Sequence, residues 1–381
     1  MKKKKVSPAR ADDLVRSVFV GRSVLKNKLY ARIDKLAFVS TLCEKADNSV
    51  LWNRIFGLSE CGRYQIKKRK AGKQECSGLY QSVIEVRQNG SSKDHPLLMA
   101  IYFKPTAKKT RKRGTDGMVY HERGAIRFEF SPQHYKSDEI TNFILWLGEK
   151  SQLGDMLYQL LKNAWITRID YALDIVGMYL HDYYLSLSGA STGEVYDPDN
   201  GMHGLRIGNA NLIASCYEKV DVRELSQKEF KRASLLELDF NEYRDFLRIE
   251  LRLLPRKGDL RLGSLNHMEN LPKRLAFYNK ALRKDKRLDP MFASLLDQGM
   301  SIPQARCVYK PSSVVNGKAV STNKKQAMKR LERCLKKHQV RLFDAECLWN
   351  NLSKVIDKIG IVGMPQYWDE KIRNKWLEKR R

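Results

Sequence analysis

Three segments of the sequence combine the alternation of a β-strand with side chains that can do acid–base and nucleophilic chemistry. They read AWITRIDYALDIV from Ala164, LIASCYEKV from Leu212 and FLRIELRLL from Phe246. Because successive side chains of a strand point to opposite faces, each segment has one apolar and one polar face. The polar faces carry Arg168, Asp170, Asp174, Ser215, Tyr217, Lys219, Arg248, Glu250 and Arg252. One sheet built from these strands would assemble the materials of a metal-assisted tyrosine nucleophile.

Tyr217 is the candidate nucleophile of this set. A phenol has a reference pKa of about 10, so a tyrosine that attacks phosphorus needs nearby positive charge to favour the phenolate. Lys219 lies two positions further along the same face, and Arg168 and Arg248 are the cations of the neighbouring strands. A phosphotyrosyl product would keep the energy of the phosphodiester bond. A cleaved nucleic-acid strand could therefore be rejoined without ATP.

The carboxylates of the same faces are the candidate metal ligands. A divalent ion would neutralise the scissile phosphate and stabilise the leaving oxygen. Asp170 and Glu250 are the first-choice ligands and Asp174 is the third. Oxygen ligands of this kind suit Mg²⁺ or Mn²⁺. An ordinary interpretation stays open for each residue: tyrosine is common in strands, and Asp170 could simply be the ion-pair partner of Arg168.

The composition indicates a polyanionic partner. The chain has 71 Lys and Arg residues against 43 Asp and Glu, a net charge of +28, and DNA is the partner we expect. Its seven cysteines are widely spaced without a CxxC pair, which favours free thiols in a reducing compartment over zinc or disulfides. No apolar run has the length of a membrane span, so we expect a cytoplasmic protein.

The pattern predicts an α+β fold: an antiparallel-rich central sheet with flanking helices, then a mostly helical, basic C-terminal region. We expect a basic leader (residues 1–30), a catalytic domain (31–256) and a helical DNA-binding or accessory region (257–381). QIKKRKAGK, from Gln65, and TAKKTRKRGTDG, from Thr106, are predicted to be loops that bind phosphates. The DNA-binding candidates in them are Lys67, Lys68, Arg69, Lys108, Lys109, Arg111, Lys112 and Arg113.

Several further elements are predicted from periodicity. Strands are expected in ARIDKLAFVSTL from Ala31, QSVIEVRQNG from Gln81, PLLMAIYFKP from Pro96 and GAIRFEFSP from Gly124. We expect one helix over residues 140–164, a short helix over 178–187, a hairpin over 204–220, a charged helix over 221–241 and helices after Pro255. Tyr102-Phe103-Lys104 followed by Arg127-Phe128-Glu129 repeats the arrangement of Tyr217-Glu218-Lys219 followed by Arg248-Ile249-Glu250. This repeat indicates a possible internal duplication of a strand pair.

The order RIDYALD, GNANLIASCYEK and LRIELRL resembles the replication initiators of rolling-circle replicons, namely the Rep_trans-type plasmid proteins and the gene II proteins of filamentous phages. In that family an Arg-Ile-Asp strand, a Tyr-x-Lys strand and an Arg-x-Glu strand follow in this order. The resemblance covers roughly residues 120–256. It implies that Tyr217 is the nicking nucleophile, with Lys219 as its neighbouring cation and Asp170 and Glu250 at the metal. Asp174 matches the plasmid branch better than the phage branch.

The resemblance also implies a reaction cycle in the cytoplasm of a bacterial host. The protein would nick one strand of a supercoiled double-stranded origin and stay attached to the 5′ end. It would recruit the host helicase and polymerase, then rejoin the displaced single strand as a circle. None of the seven histidines stands two residues from another, which disfavours the related enzymes with a His-hydrophobic-His metal site.

Two alternatives remain. One is a non-enzymatic, sequence-specific DNA-binding regulator. The other is a tyrosine recombinase or transposase, for which we find no Arg-rich catalytic set with histidines on helices.

Overall fold

The computed structural model describes ten stretches of the chain, and everything below refers to them. They are residues 17–42, 45–89, 97–109, 118–120, 124–190, 192–196, 204–220, 244–256, 258–309 and 321–380.

The described strands are β1 (Val18–Arg22), β2 (Lys28–Ser40), β3 (Tyr64–Lys70), β4 (Tyr80–Gln88), β5 (Met99–Pro105), β6 (Ala107–Lys109), β7 (Met118–Tyr120), β8 (Ile126–Phe130), β9 (Trp165–Val176), β10 (Tyr183–Leu187), β11 (Thr192–Tyr196), β12 (Gly204–Gly208), β13 (Leu212–Val220), β14 (Arg244–Leu253), β15 (Leu275–Asn279) and β16 (Gln339–Val340). The described α-helices are α1 (Lys45–Gly57), α2 (Ser137–Leu147), α3 (Asp155–Asn163), α4 (Pro290–Asp297), α5 (Ile302–Val308), α6 (Ser321–His338), α7 (Ala345–Trp349), α8 (Leu352–Asp357) and α9 (Glu370–Glu378).

The largest sheet has 11 strands and carries the three segments of chemical interest. Its order is β11-β12-β13-β14-β9-β2-β8-β5-β4-β3, and β1 pairs with β2. The pairings with a described register are antiparallel. Strands β10, β15 and β16 form a second sheet, and β6 pairs with β7. The α+β fold with a large antiparallel sheet and a helical C-terminal region is therefore confirmed.

The chain forms two compact units. The first unit consists of the described parts of Met1–Ala31, Tyr171–Leu253 and Glu269–Asn351. The second unit consists of the described parts of Arg32–Asp170, Leu254–Met268 and Leu352–Arg381. The predicted catalytic domain, residues 31–256, thus contributes to both units, and the predicted leader contains strand β1.

Several predicted elements are confirmed. Strands form where the sequence predicts them at β2, β4, β5 and β8, and the predicted hairpin over 204–220 is β12 and β13. Its turn is held by Asn209, whose Oδ1 accepts hydrogen bonds from the amides of Asn211 and Leu212, both at 2.9 Å. The predicted charged helix over 221–241 lies outside the described residues.

The predicted basic loop from Gln65 is wrong, because this segment is strand β3. It pairs residue by residue with β4, from Tyr64 opposite Gln88 to Lys70 opposite Ser82. Tyr64 is buried, whereas the lysines of β3 are exposed. Long lysine stems can lie along a sheet while their ammonium groups stay in water, so a high charge did not exclude a strand here. The second predicted loop begins instead with β6.

The helix predictions fail where glycine, proline or long-range pairing intervenes. The helix predicted over 140–164 is two helices, α2 and α3, separated by a segment that ends at Gly154 with a φ of 61°. The short helix predicted over 178–187 is strand β10, whose five residues each pair with β15. Strand β15 itself replaces part of a predicted helix, three residues after Pro272.

In the part of the chain that the structure describes, no helix combines the length and apolar character needed to cross a membrane.

Gly208 gives a test of the hairpin that carries Tyr217. A Cβ atom at this position would overlap the carbonyl oxygen of Leu212 and the Cα atom of Ile213, which are backbone atoms of the partner strand. We expect Gly208→Ala to lower the free energy of unfolding by about 1–3 kcal/mol, as forced overpacking does. The measurement is urea unfolding. In the control Gly62→Ala, a Cβ atom meets nothing within 4 Å. Equal effects of the two substitutions would contradict this account of the hairpin.

Candidate active site

The predicted apolar faces of β9 and β14 are buried, but several charged residues on the opposite faces are buried as well. On β9, Ile169, Tyr171 and Leu173 are fully buried, and on β14 the same holds for Ile249 and Leu251. The Tyr171 hydroxyl is also inaccessible, and burial raises its pKa. Tyr171 therefore does not supply a second nucleophile. The opposite faces of the strands bear the charged residues.

Tyr217 and Glu250 are brought together in the first unit. Tyr217 lies opposite Arg248, and Ser215 lies opposite Glu250, in the antiparallel pair of β13 and β14. The phenolic hydroxyl of Tyr217 donates a short hydrogen bond to Oε1 of Glu250. Both side chains are half-buried. A carboxylate next to a phenol can hold its proton or receive it.

Cys216 lies behind Tyr217 on the other face of β13. It is fully buried. Burial, and secondarily the negative charge of Glu250, raise the pKa of its thiol to about 12. Cys216 is therefore a neutral core residue.

Arg248 does not face solvent as the sequence suggested. Its Nε and Nη2 atoms donate to Oδ1 and Oδ2 of Asp174 at 2.7 and 2.8 Å. The two side chains are 1% and 0% exposed. The guanidinium also lies 5.3 Å from the ring centroid of Phe246. This bidentate pair joins β14 to β9 inside the first unit.

Arg168 and Asp170 form a second bidentate pair, which belongs to the second unit. The Nε and Nη2 atoms of Arg168 donate to the two carboxylate oxygens of Asp170 at 2.9 and 2.5 Å. Arg32 and Asp34 repeat this contact on β2, with 2.5 Å between Nε and Oδ1. Sequence reasoning missed the pair on β2, although the tripeptide Arg-Ile-Asp occurs in both strands.

The remaining predicted catalytic residue is Lys219. It lies on β13 opposite Phe246, and its side chain is outside the described part of the structure.

The three predicted metal ligands fit a divalent ion to different degrees. Asp174 fits least well, because both of its oxygens accept from a buried arginine. Asp170 is likewise engaged by Arg168, which is 23% exposed. Glu250 accepts from the phenol of Tyr217 and is half-buried. Of the three candidate ligands, Glu250 is the one that contacts Tyr217.

The second unit contains a strand pair with the same register as the pair around Tyr217. Tyr102 lies opposite Arg127 between β5 and β8, as Tyr217 lies opposite Arg248. This agreement supports the internal duplication. The surroundings differ, since Tyr102 is only 8% exposed and burial raises its pKa. Glu129, the counterpart of Glu250, forms ion pairs with Lys35 and Arg127.

The predicted DNA-binding residues fall into three groups. Lys67 and Lys68 are exposed on β3. Arg69 is committed to two carboxylates, with Nη2 2.6 Å from Glu75 and 2.5 Å from Glu85. Its hydrogen bond lowers the pKa of Glu75 to about 2.

The other group lies in and after β6. Lys108 and Lys109 belong to this strand, but their side chains are not described. Arg111, Lys112 and Arg113 lie outside the described residues.

A different cluster could hold a metal ion. Asp285, Cys334 and His338 place one ligand atom each within 4.8 Å of one another, in the first unit. Nitrogen, sulfur and oxygen donors of this kind are typical of zinc more than of Mg²⁺. A zinc site is not expected from the sequence. Cys334 and His338 are nevertheless four residues apart on α6, the spacing that puts two side chains on one helix face.

The same cluster is also held together by charge. Oδ2 of Asp285 lies 2.7 Å from Nε2 of His338 and 3.0 Å from Nζ of Lys337. The amide of Arg287 and then these two side chains hold the pKa of Asp285 well below its usual range. Contacts with Lys337 and His338 therefore hold the Asp285 carboxylate in place.

No protein-family model and no curated protein matches the chain.

Asp174 gives a test of the buried pair. In Asp174→Asn the carboxylate charge is lost while Arg248 stays buried, so we expect the free energy of unfolding to fall by about 3–5 kcal/mol. Chemical denaturation measures this. The control is Asp297→Asn, which removes an ion pair with Arg283 that is 3.0 Å long and half exposed. That change should cost no more than about 1 kcal/mol. Similar costs for the two variants would show that Asp174 and Arg248 are not a buried pair.

Proposed function

We propose that this protein nicks one strand of DNA through Tyr217, remains covalently attached to it, and later rejoins the strand, as rolling-circle replication initiators do. The observation that carries the proposal is the hydrogen bond from the Tyr217 phenol to Glu250, on paired strands whose sequences resemble those of such initiators. A net charge of +28 supports DNA as the substrate.

Glu250 is the group that can take the phenol proton. Tyr217 attacks the phosphorus of a phosphodiester, so that a bond forms between its oxygen and phosphorus while the bond from phosphorus to the 3′ oxygen breaks. The phenol proton passes to Glu250, and the departing 3′ oxygen gains a proton to become a free hydroxyl. The 5′ phosphate is then esterified to Tyr217. In the reverse step a 3′ hydroxyl attacks this ester, and the phenol recovers its proton.

Arg248 has a positioning role in this proposal and does not contact the DNA. Its buried guanidinium donates to both carboxylate oxygens of Asp174. It therefore holds β14, the strand that carries Glu250, against β9. The predicted cation next to the phenol is Lys219.

The implied cofactor is Mg²⁺ or Mn²⁺, with Glu250 as the predicted ligand in the first unit. When bound, such an ion would neutralise charge on the scissile phosphate. Asp174 is better explained as the partner of Arg248 than as a third ligand.

The wider cycle follows from the resemblance. We place the reaction at a supercoiled replication origin in the bacterial cytoplasm, with single-stranded DNA displaced by a host helicase and copied by a host polymerase. The exposed lysines of β3 support phosphate binding.

The direct test is covalent capture. Purified protein is incubated with supercoiled DNA of its own replicon and Mg²⁺ or Mn²⁺, then denatured. We expect nicked DNA that carries bound protein with the native sequence, and no adduct with Tyr217→Phe, because the nucleophilic oxygen is gone. Noncovalent DNA binding should persist, since the substitution changes no charge.

The matched control is Tyr102→Phe, which removes the hydroxyl at the duplicated position in the second unit. This variant should form the adduct normally. An adduct in Tyr217→Phe would contradict the assignment of the nucleophile. Binding without nicking by the native protein would instead favour the non-enzymatic regulator.

A further inference from the structure

An exposed aromatic ring and two lysines form a small cluster in the second unit. Phe56, near the end of α1, is 58% exposed. The ammonium of Lys68 on β3 lies 5.3 Å from its ring centroid, and that of Lys104 on β5 lies 5.8 Å from it. We call these three residues the Phe56 cluster. Three elements thus converge on one exposed ring.

The lysines of the Phe56 cluster differ from the arginines nearby. Arg69, Arg127 and Arg168 are each paired with carboxylates. In the described part of the chain, neither Lys68 nor Lys104 has a carboxylate within ion-pair distance, and Lys67 and Lys70 on the same strand are exposed. Two ammonium groups drawn toward one ring also repel each other. An anion bound beside the ring would relieve that repulsion.

Lys104 is also in an unusual backbone conformation. Its φ is 54°, the left-handed region that side chains other than glycine, asparagine and aspartate seldom adopt. Such a conformation is disfavoured and persists only where the surrounding structure imposes it. Here it occurs at the residue whose ammonium approaches Phe56.

We propose that the Phe56 cluster is a binding site for single-stranded nucleic acid, in which an unpaired base stacks on Phe56 while Lys68 and Lys104 contact the flanking phosphates. Sites of this kind combine an exposed aromatic ring with cations along the backbone path. A double-stranded partner would leave the ring unused, because its bases are stacked on each other. The choice of DNA over RNA rests on the proposed function. The site would hold the displaced single strand.

Binding to oligothymidine tests the proposal. All proteins are full length and carry Tyr217→Phe, so that no cleavage occurs, and fluorescence anisotropy reports the dissociation constant. Two probes are used: oligothymidine and a strand of equal length that has abasic sites in place of the bases. We expect Phe56→Ala to weaken oligothymidine binding on the order of tenfold and to leave binding of the abasic strand unchanged. Phe56→Tyr should restore the affinity.

Two comparisons separate stacking from charge. The control Phe19→Ala removes a phenylalanine of similar exposure, 50%, from strand β1, and it should change neither affinity. Lys68→Gln should weaken both probes and reduce the dependence of the logarithm of affinity on the logarithm of salt by about 0.7. Equal losses of both probes in Phe56→Ala, or none, would overturn the proposal.

Two further outcomes are informative. Aggregation of Lys68→Gln with unchanged DNA affinity would assign the lysines of β3 to protection of a sheet edge and also overturn the proposal. Selective loss of oligothymidine binding in Phe56→Ala supports the site even if the native protein forms no covalent adduct, because the two assays are independent. An adduct without that selective loss would leave the proposed function standing and remove this site.

Discussion

The buried ion pair between Arg248 and Asp174 is the constraint on which the candidate active site depends. A charged guanidinium that is 1% exposed can be accommodated only with a partner that uses its donors, and Asp174 supplies both oxygens. The pair fixes β14 against β9. The backbone register of β13 against β14 then places Tyr217 opposite Arg248, where its phenol reaches Glu250 two positions along.

The strand pairs around Tyr102 and Tyr217 show how burial changes the surroundings of a tyrosine opposite an arginine. Tyr102 and Tyr217 occupy the same register opposite an arginine. Around Tyr102 the polar groups are consumed by ion pairs of Lys35 and Arg127 with Glu129, and the phenol is enclosed. Around Tyr217 the arginine is bound to Asp174, and the phenol donates to Glu250. The two tyrosines therefore differ in their partners and in their burial.

The faces of the strands could be predicted from the sequence, because the alternation of side chains along a strand is local. The alternation places Ile169, Tyr171 and Leu173 in the core and the charged residues on the opposite face. The pair of Arg168 with Asp170 was readable because the residues are two positions apart. The pair of Arg248 with Asp174 was not, because 74 positions separate them and only strand order joins them. The same limit applies to β3 and β10. Their composition favours a loop and a helix, but pairing with distant strands makes both of them strands.

We propose that Tyr217 forms the covalent bond to DNA. Mapping the residue to which the DNA is attached is the direct test of this proposal. The adduct formed on the native replicon is digested with nuclease and protease, and the peptide that carries residual nucleotide is sequenced by mass spectrometry. We expect a nucleotide on the phenolic oxygen of Tyr217, in the peptide of strand β13. A nucleotide on Tyr102, on another tyrosine or on a serine would contradict it.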